Sequence, residues 1–286
     1  MGSDLMRLIK PRVTSLVLAT AGSGLFLAPG PLDKGLIGFT LLGTFLLVAA
    51  ANTLNMYLER DLDALMERTR HRPLPARRLS PRTALWFGMI LAVTAVSILE
   101  WKTNRLTAVL GVIAFISYVL GYTPLKPKSH VALLVGALPG ALPPLMGWTA
   151  ATGSISPPGV ILFFILFLWQ IPHFLAINLL HEEDYRKAGL RVFSLEKGIP
   201  ATKRAIVRYL AALFAVTLYP ALFGITGLSY LPVALGAGAG FLLIGLYGLK
   251  SESGLRWARA LFFASLLYLP TLLLSLILSK RGGVPF

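Results

Sequence analysis

Hydrophobic blocks of about 20 residues, parted by short polar connectors, recur along the whole chain, and each is long enough to cross ~30 Å of hydrocarbon. They fall at residues 12–29, 36–57, 83–100, 106–121, 131–151, 159–180, 205–225, 229–249 and 258–279. The pattern predicts an all-α polytopic membrane protein with nine transmembrane helices, formed by residues 1–286 as a single domain. Outer-membrane barrels alternate over ~10-residue segments and do not give such blocks. Pro139, Pro143, Pro144, Pro172 and Pro220 lie inside blocks, which is tolerated where neighbouring helices satisfy the freed backbone groups. Val13–Leu27 follows basic residues without a small-residue cleavage pattern, so it is expected as the first span and not as a removable leader.

Charge orients this array. The net charge is +15, but the basic residues sit in the connectors and not in a nucleic-acid-binding patch, so no nucleic-acid partner is expected. Of 27 Lys and Arg, 22 fall on the N-terminus and the even-numbered connections, against 5 on the other side. The positive-inside rule then places the N-terminus in the cytoplasm and the C-terminus outside, in a prokaryotic inner membrane. With no Cys, disulfides, thiolate metal sites and a cysteine nucleophile are excluded.

Seven of the twelve carboxylates gather in two short clusters, each closing a hydrophobic block on the basic side. The first cluster runs from Asn55 to Pro73. Asn55, Glu59 and Asp63 are spaced i, i+4, i+8, so on a helix their oxygens line one face. Such a face suits a hard cation like Mg²⁺, which takes oxygen ligands and is commonly shared with substrate phosphates. Arg60, Arg68 and Arg72 follow at once, and guanidinium groups bind phosphate bidentately. Asp61 is expected to point elsewhere. The alternative is a loop of solvated ion pairs whose arginines serve topology alone.

The second cluster is His181-Glu182-Glu183-Asp184, below Trp169-Gln170-Ile-Pro172-His173-Phe174. Gln170 and His173 are three residues apart and so are expected to share a face, and inside an apolar helix both need partners. His173 reads either as a ligand-contacting group or as a buried His satisfied by a neighbouring helix. Glu183 and Asp184 read as a second metal- or diphosphate-binding pair, or as a solvated turn. Lys126, in Tyr122-Thr-Pro-Leu-Lys126, is placed to reach a phosphate, and the Gly- and Pro-rich stretch Gly136–Trp148 allows close helix packing or a cavity.

At these residues the chain resembles the intramembrane aromatic prenyltransferases, whose signature is Asn-x3-Asp-x3-Asp on the second helix and a second acidic motif after the sixth. Asn55–Pro73, Pro139–Trp148 and Trp169–Phe174 running on to Asp184-Tyr-x-x-Ala-Gly189 resemble the haem-modifying farnesyltransferase branch in particular. Glu59 and Glu183 stand where that superfamily usually has Asp. The resemblance implies a central cavity holding farnesyl diphosphate, with Mg²⁺ as cofactor. Asn55, Glu59, Asp63, Glu183 and Asp184 would be metal ligands, with Asn55, Glu59, Asp63 and Asp184 catalytic. Arg60, Arg68, Arg72 and Lys126 would bind diphosphate and His173 would bind haem. Haem B would accept the farnesyl group, and a downstream haem A synthase would be a further partner. The competing readings are prenyl transfer to a quinone-type acceptor and, from another class, a transporter with a basic cytoplasmic face.

Overall fold

The computed structural model describes residues 2–250 and 254–281. Among the described residues nine long helices follow the nine blocks: α1 Pro11–Leu27, α2 Lys34–Leu58, α3 Pro81–Lys102, α4 Arg105–Leu125, α5 Ala132–Thr152, α6 Pro157–Leu180, α7 Phe193–Leu222, α8 Tyr230–Lys250 and α9 Gly254–Leu278. Among the described residues, α2 to α9 are long and apolar enough to cross a membrane. Helix α1 has 17 residues, at the short end of what can span. Starts are set locally. Asp33, Ser80 and Asn104 each accept a backbone N–H from the first turn of the helix they precede, and Pro opens α1, α3 and α6.

The largest difference from the expected boundaries is α7, which begins at residue 193 instead of 205. Its first turns are a separate approach segment, because Gly198 at φ 78° breaks the helical backbone. The basic residues Lys203, Arg204 and Arg208 then lie on the helix itself, where their stems can follow apolar surface and their charged ends reach water.

Helix α5 is the hub, packing on α1, α4 and α6. Its contact with α1 is backbone to backbone. A Cβ on Gly24 would lie 1.9 Å from the Pro144 carbonyl oxygen, and one on Gly147 would lie 1.9 Å from that of Ala21. One apolar core lies among α5 to α9 around Ile165, Leu175, Ile206 and Leu272, and a second lies among α2 to α5 around Leu47, Leu99 and Met146. Two smaller clusters hold the connectors. Leu8, Met56, Leu74 and Leu79 pin the α2–α3 connector under the N-terminal helix Gly2–Leu8. Met66 packs with Tyr185, Ala188, Leu190 and Val192, which ties that connector to the one after α6. The two acidic clusters therefore meet at one face of the bundle.

Candidate active site

The chain stays helical as it leaves α2. Glu59 N–H bonds the Asn55 carbonyl at 2.9 Å, and Asp63 N–H bonds that of Glu59 at 2.7 Å. The i, i+4, i+8 register therefore survives the junction with the short turn Arg60–Asp63. All three side chains are buried, with Asn55 2%, Glu59 4% and Asp63 0% exposed.

Each is answered by a cation from a different part of the chain. Lys10 Nζ donates to Asn55 Oδ1 at 3.1 Å, Lys126 Nζ to Glu59 Oε1 at 3.2 Å, and Arg72 to Asp63 Oδ2 at 2.7 Å. The Asn55 amide also donates to Thr123 Oγ1 at 3.1 Å, and Thr123 in turn donates to the Tyr118 carbonyl. Thr123 is delivered by a π-helical stretch within α4, Ser117–Tyr122, just before its last turn Thr123–Leu125; such stretches often re-aim side chains at functional sites. Lys126 lies 5.9 Å from the Tyr122 ring centroid. Burial opposes its charge, but Tyr122 and Glu59 outweigh that and hold its pKa above the ordinary lysine value.

Lys10 and Thr123 are the residues that sequence reasoning missed. Lys10 precedes α1 in a left-handed backbone conformation, φ 48° and ψ 67°. Asn52 and Thr14 both donate to the Ile9 carbonyl and hold this strained turn in place. Burial and the Arg72 charge pull the Lys10 ammonium down to about 7, against the opposite pull of Glu59. The only signal in the sequence was a basic residue directly before a proline.

One carboxylate oxygen has no answer: Asp63 Oδ1 is buried without a hydrogen-bond partner. Leaving such an acceptor unmet costs roughly 1–3 kcal/mol, more when it is charged. Among the described residues no three His, Asp or Glu side chains converge on a metal cluster. What is present is an oxygen-donor strip of one amide and two carboxylates with an unused acceptor at its end. Such a set fits a hard cation whose remaining ligands come from a bound phosphate and water.

The other expected residues are distributed as follows. Arg72 and Lys126 are in the strip. Arg60 folds back, donating to the Tyr57 carbonyl at 2.9 Å and lying 4.9 Å from its ring centroid. Asp61 is exposed, as its register requires. Arg68 is exposed and, after burial, lowers the pKa of His181, while Asp184 raises it; these three groups share one neighbourhood between the clusters. The short helix Glu182–Lys187 has two faces. Tyr185 is buried against Met66, whereas Glu182 and Glu183 turn outward and bond Arg186 at 2.9 and 2.6 Å. Glu183 is thus exposed and is not brought to the strip. Asp184 is partly buried between the two faces.

His173 belongs to a separate aromatic cluster. Its ring stacks on Trp169 at 5.0 Å and on Phe262 of α9 at 5.1 Å. Its Nδ1 lies 2.7 Å from Ser265 Oγ, whose hydroxyl donates to the Phe262 carbonyl. Ser265 therefore accepts, the Nδ1 carries the proton, and Nε2 keeps its lone pair. Gln170 does not share this environment. Its amide donates to Ala137 and Leu166 carbonyls, and its side chain lies against Gly140 of α5. The expected common face splits because α6 is packed between α5 and α9.

Residues 15–267 match the UbiA prenyltransferase family. A protoheme IX farnesyltransferase of Sorangium cellulosum is 48% identical over 278 residues, covering 92% of this chain and 99% of that protein. One of Myxococcus xanthus is 49% identical, covering 97% of this chain and 95% of that protein. In fold the chain is similar to a digeranylgeranylglyceryl phosphate synthase, with a TM-score of 0.84 at 17% identity over 97% of both chains. It is also similar to a UbiA homologue of Archaeoglobus fulgidus bound to GPP and Mg²⁺, with a TM-score of 0.70 at 16% identity over 96% of this chain and 99% of that one.

Proposed function

The chain belongs to the UbiA prenyltransferase family, and from that premise we propose that it transfers a farnesyl group from farnesyl diphosphate to the vinyl group of haem B, giving haem O and diphosphate. The near-full-length likeness to protoheme IX farnesyltransferases supports the substrates. The observation that carries the chemistry is the buried strip Asn55–Glu59–Asp63, ringed by Lys10, Arg72 and Lys126, with Asp63 Oδ1 unanswered.

In this reading Asn55, Glu59 and Asp63, together with Asp184, would hold Mg²⁺, and Glu183 stands outside the set in this conformation. The metal, when bound, supplies Lewis-acid stabilisation of the departing diphosphate. Arg72 and Lys126, which here bond Asp63 and Glu59, would bind the diphosphate oxygens, and Arg68 would add charge from the rim. Concentrating cations where negative charge develops lowers the barrier to C–O cleavage. The haem vinyl group attacks the allylic carbon as its C–O bond to diphosphate breaks, and water adds to the resulting cation and loses a proton, giving the hydroxyethylfarnesyl side chain. His173, with an available Nε2, is the proposed haem contact. The strip faces the cytoplasm of an inner membrane, and a haem A synthase is the natural recipient of the product.

The test is a membrane assay with haem B, farnesyl diphosphate and Mg²⁺, reading product mass after chromatography. A hydroxyethylfarnesyl adduct that disappears on chelation of the metal is expected. Prenylation of a phenolic or quinone precursor in its place would overturn the haem acceptor.

A further inference from the structure

Thr123 stands 68 residues from Asn55 in the chain, yet the two side chains meet inside the bundle, where Thr123 is 3% exposed. A threonine hydroxyl has one proton to donate. Here it goes to the Tyr118 carbonyl, at 2.9 Å. The π-helical register brings the Thr123 backbone N–H to the same carbonyl, so the residue is anchored there twice. With its proton committed, Thr123 Oγ1 can only accept, and the group facing it at 3.1 Å must be the Asn55 amide nitrogen. The other end of the amide follows. Asn55 Oδ1 meets Lys10 Nζ at 3.1 Å, and an ammonium only donates. Turned over, the amide would set nitrogen against nitrogen at Lys10 and oxygen against a hydroxyl with no proton to offer, losing two buried hydrogen bonds at once. Glu59, Asp63, Arg72 and Lys126 all lie within electrostatic reach of the Lys10 ammonium, so the Lys10 side of Asn55 is the side of the strip. An asparagine offers a hard cation only its carbonyl oxygen, and Lys10 takes one of that oxygen's two lone pairs. Lys10 ends a flexible stem, whereas Thr123 has a stiff β-branched side chain fixed by its own backbone. We infer that Thr123 is a positioning residue for the cation site: its hydroxyl, locked to the Tyr118 carbonyl, holds the Asn55 amide with the oxygen toward the strip. The inference rests on the reading that the strip takes a divalent cation.

The probe is labelled inorganic pyrophosphate, measured by equilibrium dialysis against the full chain in detergent as Mg²⁺ is raised. The half-saturating Mg²⁺ concentration reports the cation site without any turnover. Thr123→Val keeps the shape, removes the hydroxyl and leaves the amide free to turn, so it should raise that concentration roughly 10–100-fold, the usual effect of removing the hydrogen-bond partner of a metal ligand. Thr123→Ser keeps the hydroxyl and should restore the value of the parent. An unchanged Mg²⁺ requirement in Thr123→Val overturns the role, and so does a serine variant as weak as the valine one, which would make the methyl group and not the hydroxyl responsible. A threonine that only supported the fold would lower the unfolding midpoint of the metal-free protein and leave the Mg²⁺ requirement of the folded fraction where it was. Asp63→Asn in the same titration separates this inference from the reading beneath it. If Asp63→Asn raises the requirement and Thr123→Val does not, Thr123 alone is set aside. If the parent binds pyrophosphate without regard to Mg²⁺, the cation reading of the strip falls and this inference falls with it. Should Thr123→Val not fold, Thr123→Ala, the better helix former, takes its place in the same comparison.

Discussion

The two acidic clusters look alike in composition, and the fold treats them in opposite ways. After α2, Glu59 and Asp63 are buried and answered by Lys126 and Arg72, while Lys10 answers the neighbouring Asn55. After α6 the acids at 182 and 183 are turned outward, and their partner Arg186 lies three and four residues along the same short helix. An ion pair made within one exposed turn is worth at most about 1 kcal/mol. A buried charge whose partner is removed costs several times more. Burial, and not the number of acids, separates the strip proposed to hold a doubly charged ligand from a solvated surface turn.

The largest expected effect is on stability. Lys126→Met leaves Glu59 buried without its cation and should destabilise the protein by roughly 3–5 kcal/mol, whereas Arg186→Met should cost no more than about 1 kcal/mol. Thermal unfolding of both variants in the same detergent checks this, and similar midpoints would erase the distinction. Next comes turnover. Asp63→Asn keeps an acceptor for Arg72 but removes the charge, and should lower the rate of prenyl transfer by roughly 10²–10³-fold, the scale of removing one electrostatic group from a transition-state site. Glu183→Gln should stay within about a factor of two of the parent, since that side chain is exposed and bonded only to its own turn. If the two variants lose activity equally, Glu183 swings inward during the reaction.

Lys10→Gln should act more gently than Asp63→Asn. It keeps a donor for Asn55 while removing the charge, so the expected result is a roughly tenfold rise in KM for farnesyl diphosphate, near the value of one hydrogen bond to a charged group. Steady-state kinetics that vary the diphosphate at saturating haem measure it. An unchanged KM would leave Lys10 as a helix-start residue only.

What was legible in the sequence is what depends on local periodicity. The nine apolar runs and the register of Asn55, Glu59 and Asp63 follow from helix geometry alone, and α1 to α9 and the continuous turn past Glu59 carry them out. What was not legible depends on how helices are rotated against each other. Lys10 is 45 residues from Asn55, and its role rests on a left-handed turn that Asn52 and Thr14 stabilise. Gln170 and His173 share a helix but are claimed by α5 and α9 respectively. The start of α7 was hidden because basic residues after Pro200 resemble a loop until the break at Gly198 is seen.

The smallest effect bears on what the second cluster contributes. Its inward face is apolar: Tyr185, 6% exposed, packs with Met66, 2% exposed, from the connector that carries Asp63 and Arg72. The cluster then serves the strip by packing, because Tyr185 holds in place the segment that brings Arg72 to Asp63. Met66→Ala and Tyr185→Ala should each destabilise the protein. Together they should fall short of the sum by roughly 0.5–1.5 kcal/mol, as for residues in direct contact. Additive losses would mean that the two connectors are held independently. A short sum would mean that the exposed acids sit on the back of a wedge whose front positions the buried ones.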